Sequence, residues 1–437
     1  MKFSIGDAAK WVGAYVVVVL SLLVLAASGP VPSPRPFFVE FGVGLGFVGM
    51  GILAVQFSTT GRFRSIAPVF GADVVLQFHR QAGVVAAAVV LAHPVVLIAT
   101  DPDYLEFFDP RINVLRALAL ITVVPALLLL VATSLWRQRV GLSYEWWRLS
   151  HGTLSLLVVF IGMVHGIQVG EHLGALWKQG IWVGVLVGAM YLVIHSRVIR
   201  PQLMKRRPYR VTEIREELPG TFTLGVEPDG HVGMKFRAGQ YAWITVGDSP
   251  YSLQQHPFSF SSSERSAELC FTAKAVGDFT SSWKDFEPGR TVFLEGPYGA
   301  FTFDAQSEGA VFIAGGIGVT PVMSILRTMK DNGDERPVVL VYGNSRTADI
   351  AFRDEIRALE HTLHLVVVHV LEEPDEQWDS EHGFVDGEVL RRVLPPDCRN
   401  YEYFVCGPEP MMDSAESALR DMGVSWRQIY TERFQIV

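Results

Sequence analysis

Cysteine is scarce in this sequence of 437 residues. Its three cysteines, Cys270, Cys398 and Cys406, form no C-x-x-C pair and show no repeated spacing. Structural zinc sites and cysteine-ligated iron–sulfur clusters draw several thiolates from such closely spaced motifs. The scarcity therefore argues against both kinds of metal site and against a disulfide scaffold.

Charged residues make up only 19% of the chain, and they are rarest in its first 200 residues. That part has 14 Lys and Arg against 9 Asp and Glu, whereas the remainder has 23 against 36. The isoelectric point near 5.9 and the lack of a separate basic segment argue against nucleic-acid binding. The uneven distribution predicts an apolar part in a membrane and an acidic part in water.

Long apolar runs fill the first part of the chain. They lie at residues 11–28, 38–56, 74–99, 112–135, 149–168 and 175–196. Each is close to the roughly 20 residues that a helix needs to cross hydrocarbon, so the sequence predicts six spans. The stretch from Met1 to Gly29 also has the pattern of a signal peptide, whose removal would leave five spans and place the C-terminal part outside.

The basic residues predict the orientation of the six spans. One side carries most of them, namely Lys2, Lys10, Arg62, Arg64, Arg80, Arg137, Arg139, Arg148, Arg197, Arg200, Lys205, Arg206 and Arg207. The opposite loops are acidic, notably DPDYLEFFDP at residues 101–110. Loops rich in Lys and Arg remain in the cytoplasm. We therefore expect both termini and the acidic part to be cytoplasmic.

Four histidines lie within two of the apolar runs. His79 and His93 belong to the third span, His151 and His165 to the fifth, and the members of each set are 14 residues apart. Fourteen residues advance an α-helix by about 21 Å and return the side chain to within about 40° of the same face. Because odd-numbered spans run in the same direction, we expect His79 to face His151 near the cytoplasmic side and His93 to face His165 near the outer side.

Facing imidazoles suit a six-coordinate haem iron, and ligation relieves the cost of unpaired rings in lipid. The small residues that we expect to make room for two flat haem groups are Gly83, Ala86, Ala87, Gly152, Gly162 and Gly166. A single intramembrane histidine is commonly a helix-to-helix hydrogen-bonding group, and a proton or metal path is a further alternative. The repeated pairing, without buried Asp or Glu beside it, favours two haems.

From Tyr209 onward the pattern changes to short alternating segments. Six strand candidates between Tyr209 and Gly299 predict a small antiparallel barrel. After Glu308, strands such as AVFIAG and PVVLVYGN alternate with helical stretches, which predicts a parallel, doubly wound α/β sheet. We expect three domains, a six-helix membrane bundle at 1–205, the barrel at 206–305 and the α/β domain at 306–437.

A glycine-rich turn, AGGIGVTP at residues 314–321, follows the first strand of the α/β domain. We expect Gly315, Gly316 and Gly318 to let backbone N–H groups approach a pyrophosphate. The helix start is predicted with Thr320 as N-cap and Pro321 as the first helical residue. The turn lacks the full G-x-G-x-x-G form, so it needs support from other motifs.

Six motifs in a fixed order provide that support. They are HPFS at 256–259 followed by Ser261 and Ser262, GDFTS at 277–281, GPYG at 296–299, GGIGVTP at 315–321, YGNSR at 342–346 and CGP at 406–408. Together they resemble the ferredoxin–NADP reductase superfamily. With the histidine pairs, nearly the whole chain resembles that superfamily's membrane branch, the NADPH oxidases and ferric reductases, which implies FAD, NADPH or NADH, and two b-type haems.

The resemblance implies roles for individual residues. His256, Pro257, Phe258 and Ser259 would line the isoalloxazine of FAD, with Ser259 near the reactive nitrogen. Gly277, Thr280 and Ser281 would bind the FAD pyrophosphate.

For the nicotinamide coenzyme, Gly316, Gly318, Thr320 and Pro321 would bind the pyrophosphate. Cys406, Gly407 and Pro408 would border the nicotinamide. Phe434 matches the aromatic residue that covers the flavin in the family, although here Gln435, Ile436 and Val437 follow it.

Arg346 follows a strand end, where it is placed to meet a 2′-phosphate, and this favours NADPH over NADH. The alternative is an ordinary solvated arginine. Arg353 is a second candidate for the same role.

The expected function is transfer of electrons from cytosolic NADPH through FAD and two haems to a small acceptor outside. Dioxygen giving superoxide is favoured, and an Fe³⁺ or other metal chelate is the close alternative. From another class, the membrane part could be an anchor for a reductase, or a transporter. We expect an integral protein of a bacterial plasma membrane whose partners are the lipid bilayer and the acceptor, with no obligatory protein partner.

Overall fold

The computed structural model describes residues 5–29, 35–59, 72–396 and 398–433. These residues form two compact units, of which one consists mainly of the helices up to Arg200 and the other of the chain from Pro201 onward.

Six long helices form the first unit. They are α1 (Ile5–Ala27), α2 (Phe37–Thr59), α3 (Ala72–Thr100), α4 (Val114–Trp136), α5 (Tyr144–Val169) and α6 (Leu176–Ile194). All six are long and apolar enough to cross a membrane, which confirms the predicted number of spans. After α6, a π-helical turn (His195–Ile199) and a short helix α7 (Arg200–Lys205) lead into the second unit.

The helices of this bundle expose many large apolar side chains, and small residues lie at several of their crossings. Val17 and Leu115 are 67% and 76% exposed, as expected of side chains that face lipid. Inside, Ala86 and Ala117 are fully buried, and Gly51 on α2 lies against the backbone of α1 at Val19. Small residues at helix crossings let the backbones approach closely, which is how membrane helices gain packing energy.

Polar caps fix where the helices begin and end. The side chain of Asn113 accepts a hydrogen bond from the Arg116 N–H at the start of α4, and that of Ser143 accepts from the Trp146 N–H at the start of α5. Gly170 ends α5 in the left-handed conformation. These caps satisfy backbone groups at the helix termini.

The second unit starts with an antiparallel sheet of six strands. They are β1 (Tyr209–Leu218), β2 (Thr221–Pro228), β3 (Tyr241–Val246), β4 (His256–Ser259), β5 (Leu269–Lys274) and β6 (Thr291–Tyr298), in the order β4-β3-β6-β1-β2-β5. The two edges meet, because Phe260 after β4 forms a bridge with Phe271 in β5 and the Ser261 N–H donates to the Cys270 carbonyl at 2.7 Å. The predicted barrel is therefore present, and a short helix α8 (Asp278–Ser281) follows β5.

A parallel sheet of six strands completes the second unit. The strands are β7 (Ala310–Gly315), β8 (Val338–Asn344), β9 (Leu365–Leu371), β10 (Glu381–His382), β11 (Glu402–Cys406) and β12 (Ile429–Thr431). The helices are α9 (Thr320–Asn332), α10 (Arg353–Glu360), α11 (Gly387–Val393) and α12 (Glu409–Asp421). The strand order is β10-β9-β8-β7-β11-β12. All strands are parallel, and the order in which the chain adds them to the sheet reverses between β7 and β11. Ligands of such sheets bind beyond the carboxyl ends of the strands at this reversal.

Helix α9 joins the parallel sheet to the barrel. The Ser324 hydroxyl donates to the Ser262 carbonyl at 2.7 Å, and the Glu264 N–H donates to the Thr328 hydroxyl at 3.0 Å. Ser324 is fully buried. Because buried hydrogen bonds of this kind are costly to break, they hold the carboxyl edge of the parallel sheet against the barrel.

The crossing of α1 and α2 gives a stability test. A Cβ added to Gly51 would lie 2.5 Å from the Val19 carbonyl oxygen, so the helices must move apart in Gly51→Ala. We expect a loss of about 1–3 kcal/mol, measured as a lower thermal unfolding midpoint of the protein in detergent. The control Gly184→Ala on α6, where an added Cβ meets nothing within 4 Å, should unfold no earlier than the parent. Equal midpoints for both variants would contradict the close crossing.

Candidate functional site

The structure brings the four membrane histidines together in two pairs across α3 and α5. The ring centres of His79 and His151 are 6.2 Å apart, and those of His93 and His165 are 6.3 Å apart. The rings of each pair are inclined to each other by 64° and 71°. The equal spacing along two helices therefore produces two similar sites at two depths of the bundle.

These distances suit a metal ion held between the rings. A nitrogen ligand binds at about 2 Å and lies about 1 Å from its ring centre, so two rings on opposite sides of one ion have centres roughly 6 Å apart. Within the described part of the chain, no three His, Cys, Asp or Glu side chains are grouped to hold a metal. Each pair could thus supply two nitrogen ligands to one metal ion, which is the number of axial ligands that fits a six-coordinate haem.

Three of the four rings have a partner for their Nδ1 atom. His79 Nδ1 lies 3.0 Å from the Thr59 hydroxyl, His151 Nδ1 lies 3.0 Å from the Ser134 hydroxyl, and His93 Nδ1 lies 2.8 Å from the Gly42 carbonyl oxygen. With Nδ1 engaged, Nε2 is the nitrogen left to face the partner ring. The Nδ1 atom of His165 is buried and has no hydrogen-bond partner among the described residues.

The small residues near the histidines differ from the prediction. An added Cβ meets nothing within 4 Å at Gly83 and Gly152, so these two positions border open space. The other four positions contact protein. Ala86 and Ala87 are buried, Gly162 lies against Met50, and Gly166 lies against Trp182. The expectation that all six make room for a cofactor was wrong, because small residues also serve the helix crossings.

In the barrel, strand β4 places the HPFS residues beside helix α8. The His256 ring stacks on Phe279 with centres 4.3 Å apart. Phe258 packs on Trp283 at 4.8 Å. The Ser259 hydroxyl is buried and has no hydrogen-bond partner in the described chain. A buried hydroxyl without a partner is costly unless a ligand satisfies it, so Ser259 fits a flavin nitrogen at this place.

The GDFTS residues form a tight turn at the start of α8. The Thr280 hydroxyl accepts the N–H groups of Val276 and Gly277, both at 3.2 Å, and the Ser281 N–H donates to the Gly277 carbonyl at 2.9 Å. The turn lies beside β4 through the stack of Phe279 on His256. Gly277, Thr280 and Ser281 are thus next to the HPFS strand, and Thr280 shapes the turn.

In the parallel sheet, the glycine turn and the CGP turn are in contact. Ala314 in β7 pairs with Cys406 in β11. A Cβ on Gly318 would collide with the Cys406 carbonyl oxygen, so only glycine permits this approach. A Cβ on Gly315 would lie 2.8 Å from Pro408. The two turns therefore lie side by side where the strand order reverses.

Gly316 and Gly407 complete this edge of the sheet. Gly316 has a φ of +52° with nothing within 4 Å of an added Cβ, and its carbonyl accepts a hydrogen bond from the Tyr342 hydroxyl at 3.1 Å. A Cβ on Gly407 would lie 3.0 Å from the Gly315 amide nitrogen. The carboxyl ends of β7, β8 and β11 thus meet around Gly316, which is half-buried.

The start of helix α9 differs from the prediction. A 3₁₀ turn at Gly316–Val319 precedes the helix, so Val319 is the N-cap, Thr320 the first helical residue and Pro321 the second. Thr320 is only 3% exposed and its hydroxyl donates to the Ile317 carbonyl at 2.8 Å. The N-cap assignment of Thr320 was wrong by one position, because the 3₁₀ turn already gives Val319 helical dihedral angles and the helix begins one residue earlier.

Arg346 lies after β8, as expected, and it is paired. It forms an ion pair with Glu373, which follows β9, at 2.8 Å, and both side chains are about two-thirds exposed. The flanking residues are similarly placed, since Thr347 donates to Asp375 at 2.8 Å and Ser345 to Glu372 at 3.4 Å. Arg346 thus lies in an acidic surrounding that its own sequence motif does not contain.

Phe434 lies outside the described residues. Close to the end of the described chain, the Glu432 carboxylate would lie 2.9 Å from a Cβ added to Gly299. Tyr241 lies next to the same position. The C-terminal segment thus extends from the parallel sheet to the ends of β3 and β6 in the barrel.

Sequence reasoning missed Thr59, Ser134 and Glu373. Each is a common polar residue on an element other than that of its histidine or arginine partner, separated from it by 20, 17 and 27 residues. The one available signal was a hydroxyl in the last turn of a span that precedes a histidine-bearing span.

Cysteine chemistry gives a test of the second unit. Burial, followed by the Glu268 carboxylate, raises the pKa of the Cys270 thiol to about 12, and burial raises the pKa of Cys406 as well. Unfolded thiols titrate near 8.5, so folding stability falls as the pH rises above about 8.5. At pH 8.5 we expect iodoacetamide to alkylate Cys270 and Cys406 at least about 100-fold more slowly in the native protein than in urea. Peptide mass spectrometry measures both rates, and equal rates would contradict the burial of these thiols.

Three family models match successive parts of the chain. A ferric reductase like transmembrane component matches residues 45–162, an FAD-binding domain matches 224–302, and an oxidoreductase NAD-binding domain matches 312–417. The first match contains His79, His93 and His151, the second includes the HPFS and GDFTS motifs, and the third includes the glycine and CGP turns. The protein is accordingly an integral membrane oxidoreductase with FAD and NAD(P)H binding domains.

The chain is similar to proteins named as reductases, oxidoreductases or electron transfer components. NADH-cytochrome b5 reductase 2 of Chaetomium globosum is 31% identical over 35% of this chain and 49% of its own length. The xylene/toluene monooxygenase electron transfer component XylA of Pseudomonas putida is 30% identical over 48% and 60%. NADH oxidoreductase HCR of Escherichia coli is 30% identical over 52% and 68%. The chain spans about half to two-thirds of the length of these relatives.

The three models match in the order transmembrane component, FAD-binding domain and NAD-binding domain. This order agrees with the order of the helical bundle, the barrel and the parallel sheet. The chain belongs to the ferric reductase and NADPH oxidase-like family, in which a ferric reductase-like transmembrane component is followed by FAD-binding and NAD-binding domains of the ferredoxin–NADP reductase type.

Proposed function

We propose that the protein carries electrons across a membrane, from a nicotinamide coenzyme through FAD and two b-type haems to a small acceptor on the other side. The observation that carries this proposal is the pair of facing imidazoles at each of two depths, with ring centres 6.2 and 6.3 Å apart. An anchor for a soluble reductase needs no such pairs, and a transporter needs a substrate path in place of two closed ligand sets. We place both termini and the second unit in the cytoplasm.

The residues named above would hold the three kinds of group. The histidine pairs would hold two haem irons, the HPFS strand and the GDFTS turn would hold FAD, and the glycine and CGP turns would hold the coenzyme. FAD accepts a hydride from the coenzyme and gives up single electrons, which is what haem iron accepts. An inside-negative potential of about 100 mV favours outward movement of one electron by roughly 2.3 kcal/mol.

The acceptor that we propose is dioxygen, with superoxide as product, and a ferric chelate is the second candidate. The outer loop between α3 and α4 is short, and its 3₁₀ helix (Pro102–Phe108) places Phe107 with its ring centre 6.3 Å from that of His165. Arg116 lies over Phe107 at 4.3 Å. A cation near the outer histidine pair, His93 and His165, suits the negative charge of superoxide and of carboxylate chelates alike.

Loss of one ligand tests the proposed route. We expect His93→Ala or His151→Ala to abolish reduction of an external acceptor while dye reduction at the flavin by NADH or NADPH stays within about twofold of the parent, because each electron must pass both pairs. His172→Gln, which retains a polar contact for Arg35 (2.7 Å), serves as the matched control and should retain both activities. Equal loss of both activities in the alanine variants would contradict the proposed order of carriers.

The same assay separates the two acceptors. If dioxygen is the acceptor, superoxide dismutase should remove the signal of a superoxide-sensitive dye. If the protein reduces a ferric chelate directly, superoxide dismutase should leave the rate of that reduction unchanged.

We further infer that NADH is used in preference to NADPH. Arg346 alone would suit a 2′-phosphate, but Glu373 pairs with it, and Glu372 and Asp375 border the same edge. Carboxylates repel a phosphate and accept hydrogen bonds from the 2′-hydroxyl of NADH.

A charge change at Glu373 tests this preference. Glu373→Gln should raise the ratio of NADPH to NADH in kcat/KM for dye reduction by only a few-fold, because exposed ion pairs are weak. Glu360→Gln at the exposed end of α10 is the control and should leave the ratio unchanged. A parent that already prefers NADPH would contradict the inference.

A further inference from the structure

Two hydroxyl groups on neighbouring helices contact the inner histidine pair, His79 and His151. Thr59 at the end of α2 lies 3.0 Å from His79 Nδ1, and Ser134 near the end of α4 lies 3.0 Å from His151 Nδ1. Neither hydroxyl shares an element with the ring that it contacts. The pair on α3 and α5 is therefore fixed from outside by α2 and α4.

The direction of these hydrogen bonds follows from the other partner of each hydroxyl. Thr59 donates its proton to the Gln56 carbonyl at 2.8 Å, and Ser134 donates to the Leu130 carbonyl at 2.6 Å. A carbonyl oxygen only accepts, so each hydroxyl has only lone pairs to offer its histidine. In this arrangement both Nδ1 atoms carry the proton, and both Nε2 atoms carry a free lone pair.

We propose that Thr59 and Ser134 are positioning residues of the inner pair. They hold the Nδ1–H tautomer, fix the ring orientation and increase the basicity of Nε2 as a ligand. This inference rests on the proposed function, because it assigns the two hydroxyls a role toward a haem between His79 and His151.

The outer pair is arranged differently. His93 Nδ1 has the Gly42 carbonyl at 2.8 Å, and His165 Nδ1 has no partner within the described ranges. No side-chain hydroxyl contacts Nδ1 in this pair among the described residues. Substitution of Thr59 and Ser134 should therefore change the inner pair alone, and the outer pair serves as an internal reference in the same molecule.

The chain offers a matched control next to each hydroxyl. Ser58 donates to the Val55 carbonyl at 2.7 Å, and Thr133 donates to the Leu129 carbonyl at 2.7 Å. Both bond only to their own helix, and neither contacts a histidine. Ser58→Ala and Thr133→Val thus remove a hydroxyl from the same turns of the same helices and keep the histidine contacts.

The experiment is a redox titration of the full-length protein in detergent, followed by haem absorbance. We expect two haem transitions in the parent. In each single variant, Thr59→Val or Ser134→Ala, the midpoint potential of one transition becomes more positive, because a less basic ligand stabilises the oxidised iron less. The other transition stays in place. Transfer of haem to apomyoglobin should be about 10-fold faster for the affected site.

The controls and the conservative variants complete the design. Ser58→Ala and Thr133→Val should titrate as the parent does, and Thr59→Ser and Ser134→Thr should restore the parent potential, which a general loss of packing would not do.

Three results would overturn the inference, namely no change in either transition, equal movement of both, or the same movement in the controls. A parent without haem transitions would refute the proposed function itself, whereas a parent with two unmoved transitions would refute only the role of Thr59 and Ser134.

Discussion

An imidazole ring inside an apolar bundle is costly while its nitrogens lack partners, and this cost shapes the membrane unit. Helices α3 and α5 run in the same direction and carry their histidines 14 residues apart, so two ring pairs form at two depths. Thr59, Ser134 and Gly42 take up three Nδ1 atoms. The ring centres of each pair are 6.2 and 6.3 Å apart, a separation that one metal ion could span, and this supports our proposal of a haem between them.

The second unit meets a related constraint at the carboxyl edge of its parallel sheet. Glycines at Gly315, Gly316, Gly318 and Gly407 allow three strand ends and two turns to lie close together without side chains between them. Helix α9 then ties this edge to the barrel, because the Ser324 hydroxyl donates to the Ser262 carbonyl and the Thr328 hydroxyl accepts from the Glu264 N–H. The same edge also contacts strand β5 of the barrel, since the Thr320 hydroxyl donates to the Thr272 carbonyl at 3.4 Å.

Periodicity explains what the sequence predicted well. Six long apolar runs, alternating strand patterns and histidines at equal spacing depend on local geometry, so the spans, the barrel, the parallel sheet and the facing of the two histidine sets were all accessible from the sequence. Contacts between elements were not. The rotation of α2 and α4 against their neighbours decides that Thr59 and Ser134 meet histidines, and the register of β8 with β9 brings Glu373 to Arg346. Ala86 and Ala87 were assigned to a cofactor because helix crossings use the same small residues. Thr320 was misplaced by one position because a 3₁₀ turn leaves little trace in the sequence.

We propose that His79 with His151 and His93 with His165 each hold one haem. The most direct measurement is the ratio of iron and extractable b-type haem to polypeptide in the purified full-length protein, together with the spin state from its absorption spectrum. We predict two haems per chain, both low-spin and six-coordinate. Fewer than two haems per chain, or a five-coordinate high-spin iron in the resting protein, would contradict the assignment of the four histidines.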